Sequence, residues 1–415
     1  MAQDVIVLGA GIVGVCVALH LQQRGWQVTL VDRHAPGEAT SFGNAGLIEA
    51  SSVVPYAFPR DWRTVLKFAM NRSTALRYDL RSLPAYAPWL ARFWWESAPE
   101  RLAAAARDML PLIRRSVAEH EALISRAGLD DLVRPTGWLE AYRSREQFDH
   151  EVSAAERIAR EHGLGMKVLD AGALHRLEAS LDGAYAGAIH WTDPRSVIDP
   201  GALTKGYAAL FERDGGRFLN GDAATLEASR SGWRVMTGSG PVEAQAAVVA
   251  LGLWSGDLAR RFGYRVPLMA KRGYHMHYES DGRGALSRPV VDIENGYVVA
   301  PMRRGLRLTT GVELACRNRP PSPVQLERAE RLARPVFGLG ARVDEAPWLG
   351  LRPCTPDMRP VIGPADRHPG LWFAFGHAHH GLTLGPVTGR LLGELMSGEA
   401  GFTDPVPYRI GRFSQ

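Results

Sequence analysis

The feature that most constrains this chain is a glycine triplet, Gly9-Ala-Gly11-Ile-Val-Gly14, set between a short apolar run and a helical pattern. The run Asp4-Val-Ile-Val-Leu8 is continuous and β-branched, as in a strand buried on both faces. Helical periodicity then extends from Ile12 to about Gln23, with Val13, Val17 and Leu21 on one face, and Gly25 closes it. Gln27-Val-Thr-Leu-Val31 reads as a second strand, ending at Asp32. In such a unit Gly9 permits the tight turn out of the strand. Gly11 lets the backbone approach a pyrophosphate, and Gly14 allows the helix to pack close on the strand. The helix N-terminus, at Ile12 and Val13, offers free N–H groups and a positive dipole to phosphates. Asp32 is placed to accept from an adenosine ribose. Strand before, helix after and acid at this distance mark a dinucleotide site rather than an ordinary tight turn. NAD, NADP and FAD all stay open here, and Arg33 would even suit a 2′-phosphate.

At 415 residues the chain has room for two domains, or one α/β domain with an insertion. It has no apolar run of about 18 residues, so no transmembrane helix is expected. A strand starting at Asp4 leaves no space for a cleavable signal. Cys16, Cys316 and Cys354 are far apart with no CxxC pair, which argues against a disulfide framework or zinc site and fits a reducing cytoplasm. The net charge of +5 is spread along the chain. It favours solubility, and would also suit a carboxylate substrate or an anionic membrane surface. No nucleic-acid motif is present, and no metal site is expected.

Further along, 37–46 reads as a small-residue loop and 61–127 as helical. Strands are expected at 134–142, 245–251 and 371–375, and helices at 144–161, 199–214, 327–337 and 385–396. The block 271–313 alternates like antiparallel strands with turns at Asp281-Gly282 and Asn295-Gly296. The fold class is therefore α/β: a Rossmann-type domain interrupted by an α+β substrate domain with a largely antiparallel sheet. We assign residues 1–60, 150–260 and 347–415 to the first and 61–149 and 261–346 to the second. The Trp-rich stretch 84–95 is read as a core helix of the second domain rather than a membrane or partner surface.

Four more segments carry a resemblance: Ala39-Thr-Ser-Phe-Gly-Asn-Ala-Gly46, Val248-Val-Ala-Leu-Gly-Leu-Trp-Ser255, Leu351-Arg-Pro-Cys-Thr-Pro-Asp-Met-Arg-Pro-Val-Ile-Gly363 and Gly376-His-Ala-His-His-Gly-Leu-Thr-Leu-Gly385. In this order they resemble FAD-dependent D-amino-acid dehydrogenases of the glycine oxidase/D-amino-acid oxidase superfamily, over nearly the whole chain. The resemblance implies a bilobal enzyme with FAD. Gly9, Gly11, Gly14, Asp32 and Arg33 would hold its ADP half. Ser41, Asn44, Ala45, Gly46 and Leu47 would run along the pyrophosphate and the ring. Ala224 would lie by the adenine, and Ala250, Gly252 and Trp254 would flank the cofactor. The N–H groups of Gly381, Leu382, Thr383 and Leu384 would face the N1/C2=O edge, which gains negative charge on reduction. Some relatives attach FAD through a Cys six positions before the Pro of the TPD triplet. That position is Gly350 here, so non-covalent FAD is expected and Cys354 is read as a small buried residue.

The implied reaction moves the Cα hydrogen of a small D-amino or cyclic imino acid to flavin N5 and gives an imine. D-Proline and cis-4-hydroxy-D-proline are the substrates similar bacterial enzymes suggest. Such chemistry needs a carboxylate anchor that fixes Cα under the ring. Arg352 is the candidate anchor, its planar fork matching a carboxylate. Tyr274 is a candidate carboxylate ligand or cap, with a sheet-packed tyrosine as the alternative. His275 and His277 alternate with it and are read as structural. His380, and with less support His377, would line the substrate side. The electron acceptor (quinone, dye or O2) and the oligomeric state stay open, as does peripheral contact with a membrane. Alternatives are a glycine- or sarcosine-type amine oxidase, a non-catalytic FAD-binding subunit, and a nicotinamide-dependent dehydrogenase.

Overall fold

A computed structural model describes residues 3–181, 183, 185–282 and 284–414. The N-terminal unit forms as its pattern dictates: strand β1 (Asp4–Leu8), helix α1 (Ile12–Gln22) and strand β2 (Gln27–Asp32), the strands parallel and in register from Asp4 opposite Gln27. They lie in an eight-stranded sheet. Strands Arg217–Ala228 and Ala246–Val249 flank the pair in parallel, and Leu371–Phe375 extends it. Antiparallel neighbours close both edges. β1 is buried on both faces, by helices on one side and an apolar layer around Trp233, Tyr264 and Phe373 on the other.

The C-terminal helix Gly381–Met396 packs along α1 through a line of glycines. A Cβ on Gly389 would stand 2.5 Å from the Cys16 carbonyl oxygen, and one on Gly385 3.0 Å from Ile12. The two backbones can therefore approach only with glycine at these turns. This helix begins at Gly381 rather than at the expected 385. Pro386 lies within its second turn, where it removes the N–H that would serve the Leu382 carbonyl. His120 supplies the missing bond: its Nε2 lies 2.8 Å from Leu382 O, and its Nδ1 3.0 Å from the Tyr207 hydroxyl. Burial lowers the His120 pKa to about 4, so the ring is neutral, donating from Nε2 and accepting at Nδ1.

An eleven-stranded, mostly antiparallel sheet makes the second layer, built around the long strand Met269–Ser280. Its pairing corrects the expected division of the chain. Met166–Asp170 and Gly187–Trp191, assigned to the first domain, pair into this second sheet next to Trp138–Tyr142. Trp348–Cys354, also assigned to the first, pairs along Met269–Ser280. Conversely, helix Pro99–Ala127 buries Met109, Leu112, Ile113, Leu123 and Ile124 in the core of the dinucleotide lobe. The expected helical region 61–127 is likewise broken into Trp62–Ala69, Leu83–Glu96 and Pro99–Ala127, with a strand, Leu76–Tyr78, between. Trp89 and Phe93 of the Trp-rich helix are buried, whereas Trp94 and Trp95 stay exposed under Arg60 and Arg101.

Because the glycine line sets the spacing of the two helices, Gly389→Val should cost about 3 kcal/mol or more by overpacking. Urea unfolding of the purified protein checks this, and a wild-type midpoint would refute it.

Candidate functional site

The N-termini of α1 and of Gly381–Met396 open on one cavity of about 1450 Å³, which also reaches the inner face of the second sheet. This exceeds the ~300–1000 Å³ of an ordinary small-molecule pocket, leaving room for a dinucleotide and a substrate together. At one end lie Gly9, Gly11, Ile12, Val13, Asp32, Arg33, Ser41, Asn44, Ala45, Leu47, Ala224, Ala250, Gly252 and Trp254, all of them expected cofactor neighbours. Ala10 N–H donates to Asp32 Oδ2 at 2.7 Å and His34 N–H to Oδ1 at 3.0 Å, so the carboxylate is held in place with lone pairs to spare. Ser41 Oγ accepts from Ile12 N–H at 3.0 Å.

The glycines test whether a cofactor fits. Gly9 and Gly14 are required by the protein itself: a Cβ would meet Ala250 O at 2.4 Å and Gly9 O at 1.8 Å. At Gly11 a Cβ would meet only Ser41 Oγ, at 3.4 Å, and at Gly381 nothing within 4 Å. Neither has positive φ, so the protein alone gives no reason for glycine there. Both face the cavity, where a close-lying pyrophosphate and flavin ring would supply the reason. The residues present fit FAD.

Three expected contacts are corrected. Leu384 does not line the cavity, and its N–H donates to His380 O at 2.8 Å within the helix. Only Gly381, Leu382 and Thr383 keep first-turn N–H groups for a ligand. Gly46 is a turn residue: its N–H donates to Asn44 Oδ1 at 2.8 Å, and its φ of +77° leaves a Cβ no room beside Val197 O. Gly14 packs beneath the helix instead of lining the cavity.

At the other end stands Arg352, on strand Trp348–Cys354. Its guanidinium lies across Gly273, where a Cβ would sit 2.5 Å from Nη2, and Nη1 donates to Gly311 O at 3.1 Å. No carboxylate pairs with it among the described residues, and burial depresses its pKa. Lys271, directly opposite on the neighbouring strand, also lines the cavity. Its ammonium lies 4.2 Å from the Phe93 ring centre and 5.2 Å from that of Trp89, and burial lowers its pKa. Lys271 was not singled out in the sequence, because a lysine among turn and strand residues carries no motif, and the Trp-rich stretch 84–95 that supplies Trp89 and Phe93 was read as core.

Tyr274 reaches the cavity wall, but its hydroxyl is fully engaged elsewhere. It donates to Glu313 Oε2 at 2.7 Å and accepts from Arg272 Nη2 at 2.9 Å and Ser322 N–H at 2.7 Å. This leaves no free hydrogen-bonding position for a carboxylate, and the sheet-packed alternative describes it. His275 stacks on Trp348 at 4.8 Å, and His277 bonds Asp344 at 2.7 Å. Arg307, buried beside them, reaches across to the Phe42 and Asn44 carbonyls and ties the loop at 39–46 to the second sheet. His377 is taken up by Thr388 Oγ1 at 2.9 Å. His380 caps the C-terminal helix and lines the cavity; burial lowers its pKa to about 4, so it is neutral. Cys354 is fully buried, with its thiol pKa raised by burial.

Gly11→Val should leave the unfolding midpoint near wild type while lowering FAD retention at least about tenfold, since the added atoms meet the cofactor and not the protein. Flavin-to-protein absorbance ratios after gel filtration measure it; full retention would remove Gly11 from the site.

Residues 4–395 match the family described as DAO, FAD dependent oxidoreductase. A D-amino-acid oxidase of Bradyrhizobium diazoefficiens is 32% identical over 428 residues, covering 99% of each chain. A D-amino acid dehydrogenase of Paramagnetospirillum magneticum is 33% identical over 423 residues, again covering 99% of each. Among solved structures, glycine oxidase from Geobacillus kaustophilus superposes with a TM-score of 0.76 at 21% identity over 99% of each chain. The nicotinamide alternative is thereby set aside, and this chain belongs to the DAO family of FAD-dependent oxidoreductases, with FAD as its cofactor.

Proposed function

We propose that the protein oxidises a D-amino acid at Cα, delivering the electrons to non-covalently held FAD. The observation that carries this reading is Arg352: a half-buried guanidinium with no carboxylate partner among the described residues, facing a cavity that also holds the cofactor cradle. A buried cation without a counter-ion is costly, and a substrate carboxylate arriving in bidentate fashion offsets that cost. The relatives named D-amino-acid oxidase and D-amino acid dehydrogenase support the substrate class.

Held there, FAD would supply the acceptor for the Cα hydrogen and its bonding electrons; an amine that arrives neutral would leave as an iminium and lose a proton to become the imine. The chain supplies position and field. Arg352 fixes the carboxylate, and Gly273 leaves it the space to lie flat on the strand. The N–H groups of Gly381, Leu382 and Thr383, at the positive end of their helix, would stabilise charge on the ring edge they face. His379 and His380 are kept neutral by burial, so they add no positive charge beside the substrate amine. Gly350 has no side chain for a covalent flavin link. No wall residue selects the cyclic acids D-proline or cis-4-hydroxy-D-proline, so the reading is of D-amino acids generally.

For location, no helix of the described residues is long and apolar enough to cross a membrane. The free cysteines support a reducing cytoplasm. Peripheral membrane contact finds support in the exposed Trp62, Leu66, Met70, Trp94 and Trp95.

Arg352→Met should raise KM for the best D-amino acid by about a hundredfold, and Gly273→Ala should do the same more weakly by displacing the guanidinium. Steady-state kinetics decide; an unchanged KM in Arg352→Met would sink the anchor. Oxygen uptake without added dye would identify an oxidase, and turnover only with dye or quinone a dehydrogenase.

A further inference from the structure

The cavity holds a second pair of charged groups that the oxidation itself does not need. Glu49, just beyond the loop at 39–46, and Glu140, on strand Trp138–Tyr142, both line it. Glu49 is 7% exposed. Its backbone N–H is anchored on Thr383 Oγ1 at 3.1 Å, next to the flavin-facing helix turn. Glu140 accepts from the Tyr142 hydroxyl at 3.0 Å. Neither forms an ion pair among the described residues. Burial pushes both carboxyls up to about 7, and the neighbouring Glu140 charge adds to the rise at Glu49.

A separate observation marks the same end of the cavity. Trp138 is two residues before Glu140, on the same face of the strand. It is 7% exposed and lines the cavity, and its indole N–H is directed at the Glu49 carboxyl. The indole N–H thus helps to hold Glu49 in the wall, and the ring face itself attracts cations.

Distance decides which cation belongs there. The Arg352 guanidinium reaches the Gly311 carbonyl at the end of strand Gly305–Thr309. From that strand, Thr309 lies opposite Val298, Val298 opposite Val291, and Val291 opposite Glu140. All four line the cavity, so they share one face. Three strand spacings, about 14 Å between backbones, separate strand Gly305–Thr309 from the strand of Glu140. An α-ammonium lies only about 2.5 Å from its own carboxyl carbon and does not bridge that gap. An extended lysine side chain places its ammonium roughly 7 Å from the carboxyl carbon. With about 3 Å of charge-assisted contact at each end, that reach is of the order of the strand separation.

We propose that Glu49, Glu140 and Trp138 form a cation subsite opposite Arg352, which makes long-chain basic D-amino acids, D-lysine and D-arginine, the preferred substrates. This deepens the D-amino-acid reading and rests on it. Tyr56 also lines the cavity, and its ring meets that of His379 at 4.5 Å. Small or cyclic acids would reach Arg352 and leave the glutamates without a counter-ion.

The test compares D-lysine with D-norleucine, the same chain without its terminal amine, by anaerobic flavin bleaching of the wild-type holoenzyme. D-Alanine serves as a short neutral reference. D-Lysine should exceed D-norleucine by about a hundredfold in reduction rate over Kd. Glu140→Gln and Glu49→Gln should each bring that ratio within about threefold, chiefly through Kd, with flavin content and unfolding midpoint reporting that the variants are folded. A wild-type ratio at or below one, or variants that keep the wild-type ratio, overturns the subsite. If D-norleucine and D-alanine bleach the flavin while D-lysine does not, the subsite fails and the D-amino-acid reading survives. If no D-amino acid bleaches it, both fail.

Discussion

The close crossing of α1 with helix Gly381–Met396 is the constraint from which the rest follows. Gly385 and Gly389 let the first and last helices of the chain lie nearly backbone to backbone against Ile12 and Cys16. Two helix N-termini, some 370 residues apart in sequence, thereby open on one cavity. Each carries unpaired N–H groups and the positive end of a dipole. One suits a pyrophosphate and the other a ring that gains electrons. The proline that interrupts the second helix would leave a buried carbonyl unpaired, and neutral His120, held by Tyr207, removes that cost.

The second sheet completes the site by arranging charge. Its buried and half-buried cations are of two kinds. Arg272 is neutralised by Glu313, and Arg307 spends its donors on His277 and on the carbonyls of the loop at 39–46. Arg352 and Lys271 face the cavity without an anion among the described residues. A fold leaves such groups exposed to a cavity at a cost of several kcal/mol, unless a ligand brings the counter-charge. Glu49 and Glu140 line the same cavity, and burial pushes both carboxyls up to about 7. Gly273 gives Arg352 room to lie flat against its strand, so one missing Cβ sets the direction of the guanidinium.

What the sequence makes legible follows from how local each feature is. The strand–glycine–helix unit at 4–32 is determined within thirty residues and forms as read. The loop at 39–46 and the C-terminal turn are legible through their resemblance to a family, and most of their residues line the cavity. Lobe membership is not legible, because strands such as Gly187–Trp191 and Trp348–Cys354 take their partners from distant segments. Nor does a sequence reveal which atom of a side chain is already engaged. Tyr274 reaches the cavity wall with its hydroxyl turned into the Arg272–Glu313 cluster, and Leu384 loses its N–H to the helix that starts four residues before the periodicity suggests. Glu49, Tyr56, Trp138, Glu140 and Lys271 sit in unremarkable local contexts. Only the cross-strand register and the curvature of the cavity bring them together.

The account's central claim is that FAD and an amino-acid carboxylate share this cavity in an order set by Arg352. The most direct measurement is anaerobic mixing of the yellow holoenzyme with single D-amino acids and their L-enantiomers, following loss of oxidised-flavin absorbance. The account predicts saturable bleaching by D-amino acids that is lost when the carboxylate is replaced by a carboxamide. Bleaching that ignores the carboxylate, or no bleaching by any D-amino acid, would contradict it.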